Sequence, residues 1–119
     1  SACLRRVNQL EESGVIDNYV ALLNPKKVNC NLIVYVLGSF FEEDPELKER
    51  FIFEVKLIPQ ITECHFMPGS FDFLLKLNVS DLDQFNYIKN TYLNSRLGIK
   101  TLKSEVTLKT VKSTTELPL

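Results

Sequence analysis

The stretch ITECHFMPGSFDFLLKLNV, residues 61–79, decides the fold. Between its two apolar arms stands Pro68-Gly69-Ser70. Proline presets one turn dihedral, and glycine reaches backbone angles closed to other residues. Ile61–Met67 and Phe73–Val79 are therefore expected to be two strands of a hairpin. In the second arm Phe73, Leu75, Leu77 and Val79 alternate with Lys76 and Asn78, the period of a strand with one buried face.

Upstream, Asp44-Pro45 opens a helix: Asp accepts from free amides and Pro fits the first helical position. Leu47, Phe51, Val55 and Ile58 form its apolar stripe, and Pro59 ends it. Before that helix, Leu32–Phe41 reads as a strand. Its core, Leu32 to Leu37, is continuously apolar, which predicts burial on both faces. One helix layer covers only one face, so a second subunit is expected on the other, with Val34 and Val36 at the contact. Downstream, Ser80 is the expected cap of a second helix, with Asp81 and Asp83 in its first turn. Leu82, Phe85, Ile88 and Tyr92 mark the buried face of that helix, and Gly98 lies near its end. Ile99–Val111 reads as a last strand and Lys112–Leu119 as a polar tail. The order β-α-β-β-α-β gives the fold class: α+β, ferredoxin-like, one antiparallel sheet with two helices on one face. A helix over residues 1–13, with Leu4, Val7 and Leu10 at three-residue steps, and a short strand over Val15–Leu23 precede it.

The 119 residues suit one domain with a little left over, and the net charge of −1 carries no basic footprint for nucleic acid. Cys3, Cys30 and Cys64 are an odd set without paired spacing, as expected in a reducing compartment. No signal peptide or membrane-length apolar run is present, so a cytoplasmic location is expected. The chain starts at Ser1, already in helical periodicity, and reads as a fragment or a trimmed piece.

The residue set offers little chemistry. Cys64 and the single histidine, His65, are strand neighbours and point to opposite faces, so they do not share a site. Cys3 and Cys30 lack metal-ligand spacing, so neither a metal site nor a cofactor is expected. Glu42, Glu43 and Asp44 flank a helix start, where capping and solvation account for them. An open ferredoxin-like sheet can bind RNA through aromatics, but Tyr35 and Phe40 stand among Val, Leu and Ser without the basic-Gly-aromatic cluster that mode needs. The loop Met67–Phe73 is the most informative piece. Exposed amides beside Gly69 can hold a carboxylate, and Asp72 can hold an ammonium. A free amino acid presents both groups. A plain turn is the simpler alternative.

Residues 1–16, SACLRRVNQLEESGVI, resemble the recognition helix and exit of the helix-turn-helix in the Lrp/AsnC (leucine-responsive/asparagine-type) family of bacterial transcription regulators. Tyr19–Pro25 is similar to that family's linker strand, Glu63–Leu75 to its effector-domain loop, and Val111–Leu119 to its tail. The resemblance implies a remnant DNA-reading helix at 1–15, a linker strand at 16–30, and a ferredoxin-like effector-binding and oligomerisation (RAM) domain at 31–119. It implies homodimers through the sheet, assembling further to tetramers or octamers, with a small amino acid bound between dimers. Carried over, the effector site comprises Phe66, Gly69, Ser70, Phe71, Asp72, Leu82, Glu105, Val106 and Thr107, while Ser1, Arg5 and Arg6 would face DNA. Two departures stand in the loop: Ser70 where the family usually carries Asp or Glu, and Pro68 before the glycine.

The expected function is thus amino-acid-linked control of DNA binding, without catalysis. Two alternatives stay open. A small ferredoxin-like enzyme would need a pocket-facing arginine with a polar partner, and Arg50 and Arg96 show no obvious mate. A stand-alone effector domain would lack any DNA-reading head.

Overall fold

The computed structural model describes residues 32–42 and 44–119. The expected helix at 1–15 and linker at 16–30 lie outside these residues, with Cys3, Cys30, Ser1, Arg5 and Arg6.

The chain runs β1 (Leu32–Phe40), α1 (Pro45–Leu57), β2 (Ile61–Phe66), β3 (Phe73–Val79), α2 (Leu82–Tyr92), a 3-10 turn (Ser95–Leu97) and β4 (Ile99–Val106). The sheet order is β2-β3-β1-β4, all antiparallel. This is the ferredoxin-like arrangement the sequence predicts.

Each helix start is written locally. Asp44 Oδ1 accepts from the amides of Glu46 and Leu47, at 3.0 and 3.4 Å, with Pro45 in the first turn. The second helix is capped by Asp81, one residue later than expected: its Oδ1 accepts from the Gln84 amide at 2.8 Å. Ser80 serves instead as the partner of the Gln84 side chain, donating from its backbone amide to Oε1 at 2.8 Å. Asp81 takes the cap because its carboxylate reaches the Gln84 amide three residues on, while the Gln84 side chain reaches back one residue further, to Ser80.

Val34 and Val36 of β1 join Phe73, Leu75, Leu77 and Val79 of β3 in one buried cluster. Phe51, Val55 and Ile58 come to it from α1, and Phe85 and Ile88 from α2. Both helices therefore lie on one face. This corrects the expected place of Val34 and Val36: they face the helices, not a second subunit. Among the described residues nothing covers the other face, whose apolar side chains are Ile33, Tyr35, Leu37 and Leu74, all half-buried. The apolar run at 32–37 concealed which alternate residues turn which way.

Around that apolar centre stands a charged border. His65 Nε2 donates to Glu63 Oε1 at 3.0 Å, Lys76 Nζ lies 3.5 Å from Glu63 Oε2, and Lys103 pairs with Glu105 at 3.4 Å. The hydrogen bond from His65 is the main cause holding the Glu63 carboxyl below its ordinary range. An apolar centre with a polar rim is the anatomy of a protein interface.

β4 stops at Val106, short of the expected Val111. The last ties to β1 come from Thr107, whose amide and hydroxyl both donate to the Ile33 carbonyl, at 3.0 and 2.9 Å. Because β1 begins at Leu32, residues beyond Thr107 have no described strand to pair with.

Gly38 is fixed by packing. A Cβ there would run into the ring of Phe73, which is fully buried. Gly38→Ala is expected to cost about 1–3 kcal/mol through overpacking, measured by urea unfolding. A variant of unchanged midpoint would show that the ring has room to move.

Candidate functional site

The site begins where β2 turns into β3. Pro68 has no amide to pair, and Gly69 takes φ 142°, a region that costs glycine nothing. The Met67 amide donates to the Asp72 carbonyl at 3.0 Å and the Asp72 amide to the Gly38 carbonyl at 2.8 Å. The pairing of β1 with β4 shifts register between Ser39 and Phe40. There the Phe40 amide donates to Asp72 Oδ2 at 2.8 Å. Asp72 thus ties the loop to the end of β1, and among the described residues Oδ1 accepts no hydrogen bond.

Beside this loop opens a cleft of about 410 Å³, within the range of about 300–1,000 Å³ that suits small molecules. Its walls are Phe40, Phe41 and Glu42 from the end of β1, Asp44 and Lys48 from the start of α1, and Phe66, Met67, Pro68 and Asp72 from the hairpin. Behind it four aromatic rings interlock. Phe51 lies edge-on to Phe40 at 5.2 Å between centroids and 4.8 Å from Phe73, and Phe66 sits 5.9 Å from Phe51. Lys48 Nζ stands 5.1 Å from the Phe66 ring centroid. It makes no ion pair among the described residues.

The sequence-derived residues separate into two groups. Phe66 and Asp72 line the cleft, with exposed Gly69 and Ser70 and half-buried Phe71 in the loop beside them. Leu82, 51% exposed, lies at the start of α2, just past the end of β3 at Val79, which pairs with Leu32. Glu105 and Val106 end β4 beside Tyr35 and Val34, and Thr107 follows, bonded to Ile33. From Val34 to Phe40 is six residues of strand, about 20 Å. One protomer holds the two groups at opposite ends of its sheet.

Sequence reading missed Phe40, Phe41, Glu42, Asp44, Lys48, Met67 and Pro68 as lining residues. The signal was in the topology. Once Gly38 pairs with Phe73, the β1–α1 connection and the β2–β3 loop fall at the same end of the sheet. Arg96 also differs from expectation, because it has a mate: Nη1 and Nη2 donate to the two carboxylate oxygens of Glu54, each at 2.9 Å. That pair ties the 3-10 turn to α1 and lies outside the cleft lining, so it supplies none of the pocket chemistry an enzyme would need. Chemically, the described lining offers the Lys48 cation, carboxylates and an aromatic wall. His65 is set on the uncovered sheet face beside Glu63.

Residues 41–117 match the Lrp/AsnC ligand binding domain. The leucine-responsive regulatory protein of Haemophilus influenzae is 36% identical over 117 residues, spanning 98% of this chain and 70% of its own. A transcriptional regulator of Neisseria meningitidis, solved as a complex with L-methionine, superposes with a TM-score of 0.89 at 34% identity, over 99% of this chain and 76% of its own. An AsnC family transcriptional regulator of Agrobacterium tumefaciens gives 0.87 at 33%, with the same coverages.

Proposed function

We propose, from the premise that this chain belongs to the Lrp/AsnC family and carries the effector-binding domain of a transcription regulator, that its effector is a free amino acid bound at the 66–72 loop. The observation that carries this reading is the loop itself. Asp72 is fixed by its bond to the Phe40 amide, and among the described residues its second oxygen accepts no hydrogen bond beside a cleft of amino-acid size. A fixed carboxylate is a pre-oriented partner for an ammonium. The relative from Neisseria meningitidis was crystallised with such a ligand, L-methionine.

The domain acts by linkage and without catalysis. A ligand that favours one assembly state shifts the equilibrium by its differential affinity. Ile33, Tyr35, Leu37 and Leu74 on the uncovered sheet face supply the homodimer contact. Leu82, Glu105, Val106 and Thr107 complete the effector site from another subunit, since one protomer keeps them about 20 Å from the cleft. Binding then reads out as tetramer or octamer formation in the cytoplasm. Residues 1–15 belong to a DNA-reading head, with Ser1, Arg5 and Arg6 on the DNA side, residues 16–30 link it to the effector domain of 31–119, and two-fold symmetry suits a palindromic operator.

The test is Asp72→Asn. The amide keeps an oxygen for the Phe40 amide but loses the charge, whereas Asp72→Ala would also untie the loop. Calorimetry should show affinity for the amino acid falling about tenfold or more, roughly 1.4 kcal/mol or above, with the dimer retained in light scattering. Unchanged affinity would remove Asp72 from the site.

A further inference from the structure

We infer that Lys48 is the carboxylate anchor of the cleft and that the ligand it selects is an amino acid with a long, uncharged, apolar side chain. This rests on the amino-acid reading above and adds to it a residue and a selectivity.

Lys48 enters the cleft from the first turn of α1. Its ammonium lies over the Phe66 ring, yet it makes no ion pair among the described residues, although Glu42, Asp44 and Asp72 line the same cleft. Asp44 is occupied by the helix amides. The aromatic contact steers the ammonium without using up its three donors. A ligand carboxylate can take them. With its ammonium on Asp72, a bound zwitterion spans the two opposite charges.

The remaining wall reads the side chain. Phe40, Phe66 and Met67 present aromatic and thioether surface, which favours a linear apolar or aromatic group. Each methylene buried there is worth about fourfold in affinity. The charge balance sharpens the choice: among the described residues the lining holds Glu42, Asp44 and Asp72 beside Lys48. A second negative charge, as on glutamate or aspartate, enters against repulsion.

The test uses calorimetry on the full chain with L-methionine and L-methioninamide, which lacks the anionic carboxylate. Lys48→Met keeps an unbranched side chain one atom shorter and removes its charge. Affinity for methionine should drop about tenfold or more, while methioninamide binds wild type and variant alike. Phenylalanine should compete with methionine, and glutamate should not. The inference is overturned by Lys48→Met binding methionine as wild type does, or by equal losses for both ligands, which would make Lys48 only structural. If Asp72→Asn loses methionine while Lys48→Met keeps it, the amino-acid reading stands and this inference falls. If wild type takes up no free amino acid, both fall.

Discussion

Replacing Phe51 with alanine is expected to remove about 3–5 kcal/mol of stability, the loss typical of a buried phenylalanine. Phe51 is fully buried and joins α1 to every other wall of the aromatic cluster: Phe40 of β1, Phe66 of β2 and Phe73 of β3. The loss combines apolar area returned to water, the void left between helix and sheet, and ring contacts worth about 0.5–1.5 kcal/mol each. Small domains hold only about 5–15 kcal/mol in total. The variant should therefore be near half-unfolded in mild urea, and Phe40, Phe66 and the cleft should loosen with it. Guanidinium unfolding checks the number. A loss below about 1 kcal/mol would mean that the cluster repacks around the gap.

Two aspartate substitutions three positions apart on β1 should give opposite failures. Val34 is fully buried between Leu77 and Val106 and faces the helices. Val34→Asp places a charge in the core at a penalty of several kcal/mol, so the chain should fail to fold. Leu37 lies on the uncovered face, with Leu74 and Lys103 as cross-strand neighbours. Leu37→Asp should leave a folded monomer, the new carboxylate resting near Lys103, and should break the proposed dimer because a charge would be desolvated in its contact. Circular dichroism reports the fold and light scattering the mass. A Leu37→Asp protein that remains dimeric would place the interface elsewhere.

The contrast also shows how far the sequence could be read. β3 announced its buried face because Lys76 and Asn78 interrupt its apolar residues. The turn at Pro68-Gly69-Ser70 and the cap at Asp44-Pro45 were written in single residues and hold in the structure. β1 gave no such mark between Leu32 and Leu37, so its strand character was legible and its facing was not. In α2 the expected stripe was half right. Phe85 and Ile88 are buried, whereas Leu82 stands largely exposed at the helix start, where the sheet no longer lies beneath it.

The proposed site was legible where it is local and illegible where it is tertiary. Asp72 and Phe66 belong to one hairpin, and the family resemblance of that stretch points to both. Lys48 and Glu42 reach the cleft only because β1 pairs with β3 and brings α1 to the same end of the sheet. No local pattern carries that information. The separation of Asp72 from Glu105–Thr107 is tertiary in the same way, and the proposal that two subunits share a site follows from it.

The most direct test of the effector claim is thermal unfolding of this chain against a panel of free amino acids. At about a hundred times its dissociation constant, a ligand that binds only the folded state adds roughly 2.7 kcal/mol, a clear rise in midpoint. The account predicts a rise confined to a few amino acids with apolar side chains. A midpoint unmoved by every member of the panel would contradict it.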